Sequence, residues 1–597
     1  MKPTEIGNPE YFHKVVDCQY ACPAHTPVPE YIRLIAQERY DDAYMVNWES
    51  NVFPGILGRT CDRPCEPACR RGRVEEEPVA ICRLKRVAAD NKTSIVDRLP
   101  KIPARKNGKR VALIGGGPAS LTVARDLAPL GYQLDLYDDQ PAGGGFMRSQ
   151  IPSFRLPPNV LDEEVDYILN MGIHTHFQTY VDSLRSILDK GYDAIFVGTG
   201  APRGSDLDIP GREECAKQIH VGIEWLGSVA FEHISKIGKR VLVLGGGNTA
   251  MDCCRTARRL GGEDVKVVVR SEFSKMKASP WEIQDAQAED IPIFNNHVPK
   301  EFVHENGKLI GMKFDKVDVV YDQSGKRSLI PTGDEILFEA DEVLIAIGQD
   351  NAFPWIERDL GIEFGKWDMP VVDRDTFQSK NQKVFFGGDA AFGPENIITA
   401  VAHGHQAAVS IDLMLSGKSV NERPGPGVNL ISQKMGVHEW SYDNLVTIDL
   451  RQIVPHVDKS VALKDRKVEV ELGFDLPTAY REAERCLNCD VQTVFDGGKC
   501  IECDGCTDIC PTDCINFIDN AEEPVLRRSL RAPASNAAQD LYVSDRLAQT
   551  QRVMVKDENV CLHCGLCAER CPTGAWDMQR FLYSVTKAGN SCSQSNR

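Results

Sequence analysis

The chain has 597 residues, 42 % of them hydrophobic and 26 % charged, the composition of an ordinary globular protein with room for roughly three or four domains. Acidic residues outnumber basic ones, 86 to 69, and the formal charge of −17 argues against a nucleic-acid or anionic-membrane partner, because a phosphate-binding surface needs clustered Lys and Arg. No apolar run nears the ~20 residues of a membrane span, and the start, MKPTEIGNPEYFHK, lacks the apolar stretch of a signal peptide, so a cytoplasmic location with no membrane partner is expected.

The 21 cysteines set the domain plan. Cys18, Cys22, Cys61, Cys65, Cys69 and Cys82 open the chain, only Cys215, Cys253 and Cys254 occupy the middle, and the remaining twelve lie between Cys486 and Cys592. In a reducing cytoplasm such thiols serve as metal ligands rather than disulfides. The pattern predicts an α/β body with a small metal domain at each end. The stretches LPKIPARKNGKR (99–110) and SGKSVNERPGPG (416–427) read as linkers.

The segment RVALIGGGPASLTVARDL reads as a strand, a glycine turn and a helix, with Gly115, Gly117 and Ser120 at the three positions of a dinucleotide fingerprint. The glycines let the backbone approach a pyrophosphate at the helix N-terminus, and Ser is small enough to keep helix and strand close. YQLDLYDD then ends a second strand in Asp138, placed to accept from a ribose 2′-hydroxyl.

A second copy, RVLVLGGGNTAMDCCRTARRLGGEDVKVVVRS, has Gly245, Gly247 and Ala250 at its turn, but its next strand ends in Arg270, with Lys275 and Lys277 just beyond. An acid there selects NAD and an arginine accommodates the 2′-phosphate of NADP, so NADP(H) is favoured and NAD(H) stays open. Cys253 and Cys254 are adjacent, which suits neither a disulfide nor a chelate, and they read as buried small hydrophobes. The apolar strands YDAIFVGTGA (192–201) and DEVLIAIGQD (341–350) bracket this copy, as if it were inserted into the first domain. VFFGGDAAFGPENIITAVAHGHQAA follows as strand, turn and helix, where Asp389 either binds a ribityl hydroxyl or serves as a helix cap.

Near the C-terminus, CIECDGCTDICP supplies Cys500, Cys503, Cys506 and Cys510, and CLHCGLCAERCP repeats the run with Cys561, Cys564, Cys567 and Cys571. This is the C-x2-C-x2-C-x3-C-P run of bacterial two-cluster ferredoxins, whose fourth cysteine ligates the other cluster. The expected [4Fe-4S] sets are Cys500, Cys503 and Cys506 with Cys571, and Cys561, Cys564 and Cys567 with Cys510. Two zinc knuckles are the competing reading. The 46-residue connector between Cys514 and Cys561 reads as an excursion able to dock a partner.

From about residue 10 to 415 the chain resembles the small, flavin-containing subunit of bacterial glutamate synthase. The same module occurs in the amino-terminal half of dihydropyrimidine dehydrogenase and in the large subunit of NADH-dependent ferredoxin:NADP oxidoreductase. CPAHTPVPEYI, FPGILGRTCDRPCEPAC, the two glycine turns, IPSFRLP (151–157), VVVRSEFSKMKAS and GGDAAFG carry the resemblance. It implies FAD on the first unit, with Gly115, Gly117, Ser120, Asp138, Gly144, Gly145, Arg148, Gly388 and Asp389 as the binding set. It implies NADP(H) on the inserted unit, with Gly245, Gly247, Asn248, Ala250, Arg270 and Lys275, and iron–sulfur clusters in a helical N-terminal domain.

Three departures from that family stand out. Its Arg-Arg after the second unit is Arg270-Ser271 here, and its Tyr-Gly before Ile-Pro is Ser149-Gln150. Its Cys-x2-Cys pair upstream of Cys18 is missing, while EAERCLNCD, with Cys486 and Cys489, looks like that pair moved to the start of the C-terminal domain. The resemblance then implies one set of Cys18, Cys69, Cys486 and Cys489. Another joins Cys22, Cys61, Cys65 and Cys82, with Cys82 in place of the family's Gln or Glu ligand, for four clusters in all. The alternative leaves Cys18, Cys69, Cys486 and Cys489 as free thiols beside three clusters. Cys215, Cys514 and Cys592 are read as structural.

The expected fold is α/β: a helical N-terminal iron–sulfur domain (1–105), an FAD domain (106–235 and 341–420) interrupted by an NAD(P) domain (236–340), both Rossmann-like, a linker (421–485), and an α+β ferredoxin-like domain (486–597). The expected function is an NAD(P)H oxidoreductase subunit of a hetero-oligomeric complex. It moves electrons through FAD and the clusters to or from ferredoxin or a partner such as a 2-oxoacid:ferredoxin oxidoreductase. No catalytic side chain is assigned, because hydride transfer between cofactors needs alignment rather than an acid–base pair; His403 and His405 are read as structural. A freestanding glutamate synthase small subunit and a non-catalytic electron-transfer scaffold are the alternatives.

Overall fold

The computed structural model describes residues 1–75, 77–325, 327–436, 439–440, 446–531 and 538–589. The chain divides into two compact units, Met1–Leu99 with Arg423–Ile453 and Gly473–Arg597, and Pro100–Glu422 with Val454–Leu472. Among the described residues no helix is long and apolar enough to cross a membrane.

The second of these units is built on two parallel sheets. The first sheet runs in the order Val384–Phe386, Ala194–Val197, Arg110–Ile114, Gln133–Tyr137, His174–His176. Its central strands are near-continuous buried apolar runs, as a sheet covered on both faces requires. One face packs against a core of Leu184, Tyr192, Phe353, Trp355 and Ile362. The helices Pro118–Leu127 and Ile397–Leu415 pack against each other and against the sheet.

The other sheet runs Ile219–Val221, Glu342–Ile345, Arg240–Leu244, Asp264–Val269, Ile293–Asn295, also parallel. Two expected boundaries move here. The strand Glu342–Ile345 was expected to open the returning FAD segment, and Ile219–Val221 lies on the FAD side of 235. Both instead hydrogen-bond within the second sheet. Their apolar runs mark strands but carry no label for the partner, which pairing alone assigns. An antiparallel sheet of His297–Glu305, Lys308–Tyr321 and Arg327–Glu339 completes the insertion.

The IPSFRLP loop docks onto the helix Asn248–Arg259 of the insertion. Phe154 is buried under the guanidinium groups of Arg259, 3.9 Å from the ring centroid, and Arg255, 5.0 Å away. Arg155 binds Asp252 at 2.7 Å and Glu282 at 2.6 Å. Residues 454–472, inside the expected linker, also pack here: Val457, Ala462 and Val470 join Phe154, and the Val470 N–H donates to the Phe154 carbonyl at 2.9 Å.

In the other unit the helices Val28–Ala36, Tyr40–Asn51, Pro54–Thr60 and Ile81–Asn91 pack together. They share their unit with two antiparallel three-stranded sheets. One orders Gly427–Ser432, Trp576–Ser584, Val491–Phe495, and the other Ile515–Ile518, Val553–Lys556, Tyr542–Val543. The N-terminal and C-terminal segments are stitched by polar contacts. Arg33 binds both oxygens of Asp490 at 2.7 and 2.5 Å, and Glu482 accepts from the Ala80 N–H at 2.7 Å. Thr4 exchanges hydrogen bonds with Val543, and Arg71 donates to the Arg485 carbonyl.

Removing one partner of a buried ion pair strands the other charge, at a cost of about 3–5 kcal/mol. Arg155→Met therefore lowers the unfolding free energy of this unit by that order, read from denaturant titrations by fluorescence and far-UV circular dichroism.

Candidate cofactor cradles and metal centres

The first glycine turn is shaped by contacts no side chain would allow. Gly115 has φ +91°, and a Cβ there would lie 2.6 Å from the Gly198 carbonyl oxygen. The Gly116 N–H donates to Asp138 Oδ2, and the Gln140 N–H to Oδ1 at 2.7 Å. Burial pushes the Asp138 carboxyl up to about 6. The Gly144 N–H closes onto the Gly116 carbonyl at 2.8 Å, so Gly144 and Gly145 lie against Gly116 and Gly117, with buried Ser120 on the helix behind.

Gly388 reaches the same helix: a Cβ there would lie 3.3 Å from Ala119 Cβ. Asp389 accepts from the Glu395 N–H at 3.0 Å, and burial pushes its carboxyl up to about 6. Arg148 turns to the loop itself, donating to the Gly143 carbonyl and pairing with Asp162, both at 2.7 Å. A cavity of about 190 Å³ continues from this loop, lined by Met147, Ser149, Gln150, Phe154, Leu226 and Arg466. Arg466 belongs to the segment Val454–Leu472, which lies inside the expected linker 421–485 and packs with the dinucleotide segment.

The second turn repeats the logic. Gly245 has φ +134°, and a Cβ would lie 2.1 Å from the Ala346 carbonyl oxygen. Asn248 accepts from the Ser279 N–H at 2.8 Å, and the N–H groups of Lys277 and Ala278 both donate to the Gly246 carbonyl at 2.9 Å. The segment after Arg270 thus folds back over the turn. Gly247 faces open space, Ala250 is buried, and Arg270 and Lys275 are exposed beyond the strand end.

Sixteen cysteines expected as ligands converge in four sets, all in the unit that holds both chain ends. Cys18, Cys69, Cys486 and Cys489 line one cavity of about 20 Å³ together with Asp17, Arg70 and Leu487. The Cys82 thiol lies within hydrogen-bonding reach of the Cys61 and Cys65 thiols, all of them free, and buried Lys85 faces these three and Cys22. Burial opposes the Lys85 charge, yet the facing thiols hold its pKa above the ordinary lysine range. Cys500 and Cys506 face Cys571 across the ferredoxin-like domain, with exposed Cys503 beside them. Cys510, Cys561, Cys564 and Cys567 line a further cavity of about 20 Å³. Four soft thiols around one small void, with buried cations beside several, is the donor set an iron–sulfur cube takes.

That last cavity holds a fifth thiol. Cys514 Sγ lies 3.5 Å from Cys510 Sγ and shares the lining, although its reading was structural. The signal was present in the repeat, because the position four residues after Cys571 is Ala575. Glu558, Cys561 and His563 also converge, with ligand atoms within 4.8 Å of one another. Lys556 binds Glu558 at 2.9 Å, and His563 Nε2 lies 3.0 Å from Arg70 Nη1. Cys215, Cys253 and Cys254 are buried in apolar cores, and Cys592 lies outside the described residues. His403 packs between Phe377 and Phe392, with centroids 5.0 and 5.3 Å away, and His405 binds Asp126.

Three family comparisons match: pyridine nucleotide-disulphide oxidoreductase over residues 109–404, dihydropyrimidine dehydrogenase domain II, 4Fe-4S cluster, over 13–95, and 4Fe-4S dicluster domain over 499–575. The chain is 34 % identical over 499 residues to the NADP(+)-dependent formate dehydrogenase subunit beta of Moorella thermoacetica, covering 79 % of this chain and 70 % of that one. It is 31 % identical over 522 residues to the NADPH-Fe(3+) oxidoreductase subunit beta of Geobacter sulfurreducens, covering 81 % and 77 %. It is also 31 % identical over 416 residues to the glutamate synthase [NADPH] small chain of Escherichia coli, covering 66 % and 87 %. The chain belongs to the glutamate synthase small-chain-like oxidoreductases.

As a member of that family it is an FAD- and NAD(P)-binding oxidoreductase whose iron–sulfur segments precede and follow the dinucleotide-binding segment in the sequence. In this oxidoreductase Asp138→Ala removes the acceptor that orders both Gly116 and Gln140. One charge-assisted hydrogen bond is worth about 1.5–3 kcal/mol, so FAD retention weakens roughly 10- to 150-fold, read from flavin absorbance after dialysis.

Proposed function

We propose that this chain is the NADP(H)-handling subunit of a larger redox complex, exchanging electrons between NADP(H) and a partner subunit or ferredoxin through FAD and four [4Fe-4S] clusters. The observation that carries the reading is the meeting of Cys486 and Cys489 with Cys18 and Cys69 around one cavity. Bound FAD supplies the step a nicotinamide lacks, taking two electrons as hydride and giving them up singly.

The chain's own groups have distinct tasks in this reading. The Gly115–Gly117 turn and its helix N-terminus receive the FAD pyrophosphate, with Asp138 accepting from the ribose and Asp389 near the ribityl chain. The Gly245–Gly247 turn receives the pyrophosphate of NADP(H), and Arg270, with Lys275 beyond it, meets the 2′-phosphate. The cysteine thiolates hold the clusters, and Lys85 and Lys556 offset their charge from inside the protein. A reducing cytoplasm suits such thiolate sites. Two of the relatives carry the names of subunits, of a formate dehydrogenase and of an NADPH-Fe(3+) oxidoreductase, which supports a separate partner for substrate chemistry. A 2-oxoacid:ferredoxin oxidoreductase is one partner of the required class.

Four cubes hold about sixteen irons, and that is the number expected on iron analysis of the anaerobically purified holo-chain. Cys489→Ser lowers it by about four while flavin stays bound. About twelve irons in the wild type would instead leave the Cys18 set as free thiols.

The expected outcome of a dye assay is that NADPH reduces a one-electron dye through the holo-chain. Arg270→Ala raises KM for NADPH about tenfold, the loss of one charge-assisted contact, with KM for NADH unchanged. Bound flavin left oxidised by both nucleotides would hand the function to the scaffold alternative.

A further inference from the structure

Arg70 follows Cys69 directly, and its side chain lines the cavity shared by Cys18, Cys69, Cys486 and Cys489. It is only 3 % exposed. Its head reaches the backbone beside the cavity lined by Cys510, Cys561, Cys564 and Cys567. Nη1 donates to the carbonyl oxygens of Cys561 at 2.6 Å and Glu558 at 2.8 Å, and approaches His563 Nε2 at 3.0 Å. Nη2 donates to the Val15 carbonyl at 3.1 Å and to Asp17 Oδ2 at 3.0 Å, and Nε to the same oxygen at 3.1 Å. Guanidinium has only donors, so His563 Nε2 accepts.

The charge balance around this group is uneven. Asp17 is the carboxylate bound to Arg70, and Arg73 binds its other oxygen at 2.9 Å. One carboxylate thus serves two guanidinium groups, and the Glu558 carboxylate that also faces Arg70 is paired with Lys556 at 2.9 Å. A buried, partly uncompensated cation is expensive unless another negative centre faces it. Thiolate-ligated cubes supply that charge: each carries about −2 when oxidised and about −3 when reduced. Lys85 faces the Cys22, Cys61, Cys65 and Cys82 set, and Lys556 faces Cys561, Cys567 and Cys514. Arg70 reaches two sets, a span its extended planar fork allows and a compact ammonium does not.

We propose that Arg70 is an electrostatic bridge between the cluster of Cys18, Cys69, Cys486 and Cys489 and the cluster of Cys510, Cys561, Cys564 and Cys567, raising the reduction potential of both. The proposal rests on the four-cluster reading. Bound clusters would supply one-electron exchange here, and Arg70 would keep its proton and its charge throughout. By stabilising the reduced form on either side, it lets the two neighbours exchange electrons without a deep trap at one of them.

The test is an EPR-monitored redox titration of the full holo-chain, with the first cluster identified as the signal lost in Cys489→Ser. Arg70→Gln keeps hydrogen bonding and removes the charge. It lowers the reduction equilibrium constant of these two clusters at least tenfold, about 59 mV each for one electron, and leaves the other two unmoved. Asp17→Asn frees positive charge and shifts the same two potentials upward. A merely structural arginine predicts otherwise, with both variants shifting potentials in one direction or not at all. If Arg70→Gln does not fold, Asp17→Asn alone decides, and unmoved or lowered potentials overturn the bridge. A wild type with about twelve irons and alkylatable Cys18 overturns the four-cluster reading and the bridge with it. About sixteen irons with unmoved potentials overturns the bridge alone.

Discussion

Arg33 and Asp490 are 457 positions apart in the chain, and their bidentate pair holds the two cysteine-rich ends of this oxidoreductase against each other. The meeting of Cys18 and Cys69 with Cys486 and Cys489 depends on that closure. Cys486 and Cys489 sit within four residues of Asp490, while Cys18 lies on the helix Asp17–Ala21, just before the helix Val28–Ala36 that carries Arg33. Closing a loop costs entropy only logarithmically, about 0.6 kcal/mol for each doubling of its length. A cysteine pair can therefore move from one end of a chain to the other at little thermodynamic expense, provided the receiving surface supplies specific partners. Here those partners are the Arg33–Asp490 pair, the Glu482 carboxylate on the Ala80 amide, and the Arg71 hydrogen bond to Arg485.

The interior of this unit is unusual in its charge. Lys85, Arg70, Arg485 and Lys556 are all buried in a chain whose formal charge is −17. Arg485 is paired with buried Glu482 and donates to the backbone carbonyls of Glu77, Pro78 and Asp449. Lys85, Arg70 and Lys556 instead face sulfur. Charged groups pay a large desolvation cost, so their place beside cysteines is evidence for anionic thiolate centres that composition alone does not supply.

The dinucleotide unit shows the opposite economy, one device used twice. Each sheet ends its first strand in a glycine that packs against the carbonyl of a neighbouring strand, Gly115 on Gly198 and Gly245 on Ala346. The two cradles differ in what closes them: Asp138 and the Gly144 loop on one, Asn248 and the Lys277–Ala278 amides on the other. IPSFRLP, conspicuous in the family, earns a mechanical explanation, since Phe154 and Arg155 fasten the first domain's loop to the inserted helix.

Local chemistry was legible from residue order: the glycine turns, the acid and the arginine that end their strands, the ferredoxin runs, and the likeness of EAERCLNCD to a displaced ligand pair. All of these depend on spacings of a few residues, which the backbone translates directly into geometry. Other features are long-range and left no local mark. The strand Glu342–Ile345 looks the same whichever sheet accepts it, and residues 454–472 read as linker until Val470 meets Phe154. Cys514 became a fifth thiol of its cavity, and Arg70 reached from one cysteine set to another, only when the chain had folded. The sequence by itself determined which chemical groups this protein carries and how each is presented locally. The tertiary structure decided which of them meet, because pairing and burial depend on partners hundreds of residues away that no local pattern encodes.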